Sequence, residues 1–130
     1  MKTVMAFGTF DCLHPGHLAY LEQARRQGDK LTVVVARDVN VARIKGKVPR
    51  QNENIRLAGV KELDIVDKAL LGSEKDKLRV VEENQPDIVA LGYDQQVDVK
   101  VLEKRFNGEV VRLRAYKPEK YKSSYYKYTN

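Results

Sequence analysis

Ala6-Phe7-Gly8-Thr9-Phe10-Asp11-Cys12-Leu13-His14-Pro15-Gly16-His17 is the stretch on which the fold turns. An apolar run, residues 3–7, precedes it, and an amphipathic segment, residues 18–26, follows. It reads as a turn from a first strand into a first helix. A helix N-terminus offers unpaired N–H groups and the positive end of a dipole, so such turns hold anions. Pro15 suits the first helical turn, where its missing N–H costs nothing. His14 and His17, the only histidines of the chain, then stand three residues apart on one side of the helix start. Two histidines alone leave structural, metal-ligating and phosphate-handling roles open. A metal site usually draws on more His, Cys or carboxylate ligands than lie nearby.

Outward from this turn, strands and helices alternate. Residues 2–7 form an apolar strand, and a helix over about residues 15–27 places Leu18, Leu21, Ala24 and Arg25 at helical spacing, with Gly28 as its C-cap. Leu31-Thr32-Val33-Val34-Val35-Ala36 is apolar on both faces, as a buried parallel strand should be. Asp38 reads as the N-cap of a short helix through Ile44. Lys45-Gly46-Lys47-Val48-Pro49-Arg50 is a basic loop, either closing over a polyanion or simply solvated. Helices are expected at about 52–63, 74–84 and 97–106, and strands at 65–71, 88–91 and 109–113. This alternation predicts a single α/β domain over residues 1–130, with a C-terminal tail from about 115. Its parallel sheet has about five strands flanked by helices. In such sheets ligands bind beyond the carboxyl ends of the strands, where strand order reverses. The first and fourth strands would flank that point, and their exit loops carry residues 8–17 and 92–95.

Apolar residues make up 42% of the chain and charged residues 32%, which suits a soluble globular protein. No apolar run approaches the length of a membrane span, and no signal peptide opens the chain. A single cysteine, Cys12, excludes an internal disulfide and fits a reducing compartment, with cytoplasm as the expected location. The net charge of +6 suits polyphosphates as well as nucleic acid. Only the tail, where Lys117, Lys120, Lys122 and Lys127 stand among tyrosines, has the character of a nucleic-acid patch. Nucleic acid is therefore not the expected partner.

Gly8-Thr9-Phe10-Asp11 followed by His14-Pro15-Gly16-His17 resembles the signature of the cytidylyltransferase-like nucleotidyltransferases, and the resemblance extends over almost the whole chain. It implies a Rossmann-like nucleotidyltransferase fold, transfer of a nucleotidyl group to a phosphate monoester, release of pyrophosphate, and a homodimer. It implies that His14 and His17 are catalytic and that Phe7, Gly8, Thr9 and Phe10 form the nucleotide turn. Lys45 matches the family's phosphate-contacting lysine, and Arg56 the arginine opening the next helix. Lys122-Ser123-Ser124-Tyr125 partly matches a hydroxyl-rich motif that binds the leaving phosphates, which makes Ser123 and Ser124 candidates. Gly92, Tyr93 and Asp94 are expected beside the nucleobase, the alternative being a plain turn and cap. For the reaction a divalent cation, Mg²⁺, is expected to bridge the phosphates with few protein ligands. Asp11 reads as a turn cap, with contact to that cation as the alternative.

Glycerol-3-phosphate and choline-phosphate cytidylyltransferases carry an Arg-x-Val-Asp stretch. Here it reads Leu63-Asp64-Ile65-Val66-Asp67, with Asp64 in the arginine's place. Val35-Ala36-Arg37-Asp38, Lys45-Gly46 and Leu91-Gly92-Tyr93-Asp94-Gln95 resemble archaeal-type FAD synthases, which join the AMP of ATP to the phosphate of FMN. Those usually carry a cysteine where this chain has Lys122. The expected reaction is therefore FAD formation from ATP and FMN. The alternatives are a cytidylyltransferase making a CDP-alcohol such as CDP-glycerol from CTP and glycerol-3-phosphate, and a nucleotide-binding module without turnover.

Overall fold

The computed structural model describes residues 1–93, 95 and 97–114. Asp94, Ser123, Ser124 and the rest of the tail from residue 115 lie outside the described residues. Strands β1 (Thr3–Gly8), β2 (Lys30–Val35), β3 (Lys68–Leu71), β4 (Ile88–Leu91) and β5 (Glu109–Arg112) alternate with helices α1 (Pro15–Arg26), α2 (Asp38–Lys45), α3 (Glu53–Lys61), α4 (Arg79–Asn84) and α5 (Val99–Glu103). All strand pairs are parallel and the order is β3-β2-β1-β4-β5. This is the parallel α/β sheet that the alternation predicts, in the Rossmann-like form that the family resemblance implies. No helix among the described residues is long and apolar enough to cross a membrane.

The pleat of each strand sends alternate residues to opposite faces. Val4, Ala6, Leu31, Val33 and Val35 pack against Leu21 and Ala24 of α1 and Val60 of α3. On the other face Met5, Val34, Val89 and Leu91 pack with Val80 and Val81 of α4, Leu102 of α5, and Phe106. Covering both faces keeps the central strands dry, which is why they read as unbroken apolar runs.

Strand order reverses at β1. Its ladder with β2 runs from Thr3↔Lys30 to Gly8↔Val35, but its ladder with β4 runs only from Val4↔Ile88 to Ala6↔Ala90. Beyond Ala6 the two strands part, and side chains take over their hydrogen bonds. The Tyr20 hydroxyl accepts from the Phe7 N–H at 3.1 Å and donates to the Ala90 carbonyl at 2.8 Å. Gln95 Nε2 donates to the Phe7 carbonyl at 2.7 Å, while its Oε1 accepts from the Gly92 N–H at 2.9 Å. The crevice thus opens without leaving the peptide groups of Phe7 unpaired.

Several element boundaries differ from the sequence expectations. β3 begins at Lys68 rather than residue 65, because the Asp67 carboxylate accepts the Leu31 N–H at 2.8 Å and ends the preceding turn there. Ile65 and Val66 still pack on the core from that turn. α4 begins at Arg79 rather than residue 74: Asp76 accepts from the Leu78 N–H and is paired with Arg105 at 2.6 Å, so this segment is a turn. α5 spans Val99–Glu103, shorter than expected, and Asp98 caps it. Arg37, not Asp38, occupies the N-cap of α2, and Gln27, not Gly28, the C-cap of α1. Gly28 is needed for close approach instead, since a Cβ there would stand 2.8 Å from a Val4 methyl and 2.9 Å from the Lys2 carbonyl oxygen.

Arg56 is an arginine inside the fold. It is 1% exposed, and its guanidinium donates to the carbonyls of Thr9 at 2.8 Å, Ala36 at 2.8 Å and Gln51 at 2.9 Å, and to the Asp38 carboxylate at 2.6 Å. It joins the turn after β1, the turn after β2 and the start of α3. Removing one partner of a buried charged pair leaves the other groups desolvated and unsatisfied. Arg56→Met should therefore destabilise the protein by about 3 kcal/mol or more, read as a fall in the urea midpoint. A midpoint within error of the unsubstituted protein would show that the guanidinium is not the clasp its contacts describe.

Candidate active site

The turn from β1 into α1 is tightly wound. Phe10 and Cys12 both adopt left-handed backbone angles, φ 54° and φ 57°. Such angles are costly for residues with side chains and tend to be kept at functional sites. The twist at Phe10 buries its ring against Gly8, where a Cβ would stand 2.6 Å from the ring. The same ring meets His17 edge-on at 5.5 Å between centroids and stacks with Tyr20 at 6.5 Å. Gly8 thus serves the packing of Phe10 beneath the turn.

His14 and His17 form a reciprocal cap at the start of α1, with Pro15 as the first helical residue. His14 Nδ1 accepts from the Gly16 N–H at 3.1 Å, and His17 Nδ1 accepts from the His14 N–H at 3.3 Å. The rings stack with centroids 3.8 Å apart. Ser or Thr with Glu or Gln usually makes this cap, and here two imidazoles do it. Because each Nδ1 accepts, the neutral tautomer is assigned to Nε2–H in both rings. Burial, repulsion by the charge that His14 takes up in acid and by Lys45, and a smaller opposing pull from Asp11 bring His17 down to about 4. Burial also lowers His14. At neutral pH the pair therefore presents two uncharged N–H donors.

Asp11 anchors the basic loop to this turn. Its carboxylate accepts from the backbone N–H groups of Arg50 at 2.8 Å and Gln51 at 2.9 Å. Burial raises its pKa, but those two hydrogen bonds and the nearby charge of Arg56 outweigh that and hold the carboxyl below its ordinary range. Gln51 replies with Oε1, which accepts from the Cys12 N–H at 3.1 Å. At the other end of the loop Gly46 caps α2 with φ 77°, and Lys45 Nζ donates to the Thr9 hydroxyl at 3.4 Å.

The crevice at the switch point is a cleft of about 1070 Å³. Phe7, Gly8, Thr9, Phe10, His14, His17 and Lys45 line it together, as do Gly92 and Tyr93 across the gap. Lys47, Arg50, Lys77 and Arg114 add positive charge, and Asp11 is the one carboxylate lining the cleft among the described residues. Arg56 does not line it; it lies behind the turn and holds Thr9 by its carbonyl. Sequence reasoning did not single out Tyr20, Gln51 or Arg112. Arg112 Nη1 donates to the carbonyls of Gly92 and Gln95 and so clamps the loop after β4. Gln95 sits in a string that the sequence did mark, but its bond to Phe7 joins residues too far apart in the chain for local pattern to reveal.

The cytidylyltransferase-like family profile matches residues 5–128. A relative named FAD synthase from Aciduliprofundum boonei is 46% identical over 124 residues, covering 95% of this chain and 83% of the relative. Another FAD synthase, from Methanohalophilus mahii, is 52% identical over 119 residues, covering 87% of this chain and 82% of the relative. Among solved structures, one described as a lipopolysaccharide core biosynthesis protein from Thermoplasma volcanium is 46% identical with a TM-score of 0.83, covering 89% of this chain and 98% of that one. With the histidine cap, the basic cleft and these matches together, the chain belongs to the cytidylyltransferase-like family of nucleotidyltransferases.

Proposed function

We propose that this protein is an FMN adenylyltransferase, which joins the AMP of ATP to the phosphate of FMN and releases pyrophosphate, forming FAD. The observation that carries the chemistry is the histidine cap: both Nδ1 atoms are engaged by backbone, so both Nε2–H donors are left for a ligand in a basic cleft. The choice of ATP and FMN rests on relatives named FAD synthase at 46% to 54% identity.

A phosphate oxygen of FMN attacks the α-phosphorus of ATP. That P–O bond forms as the bond from the α-phosphorus to the bridging oxygen breaks, and pyrophosphate leaves with the electron pair. The nucleophile is already an anion, so the protein's task is to position two repelling anions and stabilise the growing charge. His14 and His17 donate to the α-phosphate oxygens, and Thr9 with the adjacent backbone N–H groups holds the same group from the side. Lys45 and Lys47 face the terminal phosphates. Gly92, Tyr93 and Asp94 are assigned to the adenine, and Ser123 and Ser124 to the leaving phosphates. Among the described residues no three His, Cys, Asp or Glu side chains converge on one point, and both Asp11 oxygens already accept backbone N–H groups. This donor set fits a cation carried in by the triphosphate, with Asp11 the nearest carboxylate. Mg²⁺, when bound, would neutralise phosphate charge. A homodimer and a cytoplasmic location belong to the same proposal. The family resemblance supports the first, and a single exposed free cysteine is compatible with the second.

The deciding assay follows FAD and pyrophosphate with ATP and FMN against CTP and glycerol-3-phosphate. Faster turnover of the second pair would replace the flavin reading with a cytidylyltransferase. His14→Ala and His17→Ala should each lower kcat by at least about a hundredfold, as removal of a donor to developing charge does. Nucleotide affinity should fall less. Near-normal kcat in either variant would overturn these roles. Lys45→Ala should weaken ATP binding more than AMP binding; equal losses would place its contact away from the terminal phosphates.

The histidines also make the free protein sensitive to acid. A histidine whose folded pKa lies below its unfolded value of 6.5 binds fewer protons when folded. Its stabilising contribution is therefore complete above about pH 6.5 and is lost as pH falls through about 4. His17→Gln should flatten this part of the stability–pH curve, measured by urea midpoints. Bound triphosphate, an anion beside both rings, should raise both pKa values and steepen ATP binding toward acid pH. An unchanged curve in His17→Gln would mean that other groups set the acid limb.

A further inference from the structure

Arg112 stands on β5, the edge strand of the sheet, in register with Leu91, the last residue of β4. It does not line the cleft. Its Nη1 reaches the loop after β4 from behind and donates to the Gly92 carbonyl at 2.9 Å and to the Gln95 carbonyl. Gln95 completes the arrangement. Its N–H donates to the same Gly92 carbonyl at 3.1 Å, its Oε1 accepts from the Gly92 N–H at 2.9 Å, and its Nε2 donates to the Phe7 carbonyl at 2.7 Å. Phe7 leads directly into the turn of Gly8 and Thr9. Arg112, Gln95 and Phe7 thus form one hydrogen-bonded brace from the sheet edge to the turn after β1.

Gly92 is left with no backbone group for a ligand. Its N–H is taken, and its carbonyl oxygen accepts two hydrogen bonds, as many as it has lone pairs. A base lying against this loop is therefore met by surface and not by a hydrogen bond from Gly92. Tyr93 supplies that surface: it lines the cleft and is 52% exposed, an aromatic ring with room for a flat partner. Selection by surface requires the wall to stand at a fixed distance from the place where the phosphates are held, because a misplacement of about 1 Å is costly. A purine and a pyrimidine differ in width, so that distance favours one of them.

We propose that Arg112 is a positioning residue for the nucleobase. By holding Gly92 and Gln95 on either side of Tyr93, it fixes the distance of that ring from the turn after β1, and with it the preference for a purine nucleotide. The inference rests on the adenylyltransferase reading above and deepens it. The fold has other means of keeping β5 in place. The Leu113 N–H donates to the Leu91 carbonyl at 2.8 Å, and the Gln23 amide pairs with both the N–H and the carbonyl of Arg114. Arg112 itself is exposed, so its replacement opens no cavity.

The test compares the unsubstituted enzyme with Arg112→Met and Arg112→Lys. Steady-state KM is measured for ATP, CTP and FMN, and inorganic tripolyphosphate is titrated as an inhibitor competitive with ATP. Arg112→Met should raise KM for ATP by about tenfold, with KM for FMN and the tripolyphosphate inhibition constant each within about twofold. The preference for ATP over CTP in kcat/KM should fall by about tenfold as well. Arg112→Lys keeps a donor nitrogen on a shorter arm and should show the same pattern more weakly; it carries the test if Arg112→Met does not fold. Losses shared by ATP, FMN and tripolyphosphate would make Arg112 a support of the cleft as a whole and overturn the proposal. An unchanged KM for ATP and an unchanged preference over CTP would overturn it too. Absence of FAD formation by the unsubstituted enzyme is a separate result: it overturns the flavin reading, and equilibrium binding of ATP, CTP and tripolyphosphate to the same variants then decides the role of Arg112 by itself.

Discussion

The guanidinium of Arg56 meets three chain segments at one point. It takes the carbonyls of Thr9, Ala36 and Gln51 and the carboxylate of Asp38 in one planar fork. Loops beyond a parallel sheet have no ladder to hold them, so their backbone groups need partners from elsewhere. A lysine is a point charge and does not offer five donors in fixed directions. With the clasp in place, the turn after β1, the turn after β2 and the basic loop face one another across the cleft. Asp11 completes the frame from the opposite direction by taking the N–H groups of Arg50 and Gln51.

On this frame the two histidines serve structure and chemistry through different atoms of one ring. Nδ1 satisfies the helix start, and Nε2–H remains for a ligand. Using the first nitrogen for the cap orients the ring and assigns its tautomer before any substrate arrives. Preorganisation of this kind is what makes a donor effective against developing charge. Burial keeps both rings neutral. The cleft then draws its fixed positive charge from Lys45, Lys47, Arg50, Lys77 and Arg114, which sit around the rings. Attraction of the polyanion and donation to its reacting phosphate are thus carried by separate residues.

The opening of the sheet is maintained with similar economy. Tyr20 and Gln95 occupy the gap where β1 and β4 part, and each bonds the Phe7 peptide from one side. Arg112 reaches back from β5 to the loop after β4. The crevice therefore has braced walls at the place where the topology requires an opening. Its two sides differ in lining, Tyr93 and a braced loop on one, and the apolar side chains of Val41, Ile44 and Val48 on the other. A catalyst joining two unlike phosphates has use for that asymmetry.

Much of this was legible in the sequence, because the signals are local. The strand–turn–helix around His14 and His17, the buried run of β2, the alternation of elements and the position of the switch point follow from periodicity, turn residues and the spacing of one motif. The paired histidines also follow, since three residues on a helix start place two rings on one side. Other features depend on partners that local pattern does not name. Arg56 was marked only by its match to the family's arginine, and packing alone buried it behind Thr9. Asp67 and Asp76 moved the starts of β3 and α4 because their carboxylates bind groups in other elements. Arg112, Gln95 and Tyr20 are ordinary polar residues in the sequence. What they do was decided by the tertiary structure, because the need of a buried polar group for a partner is met across the fold, between residues brought together only when the sheet closes its core.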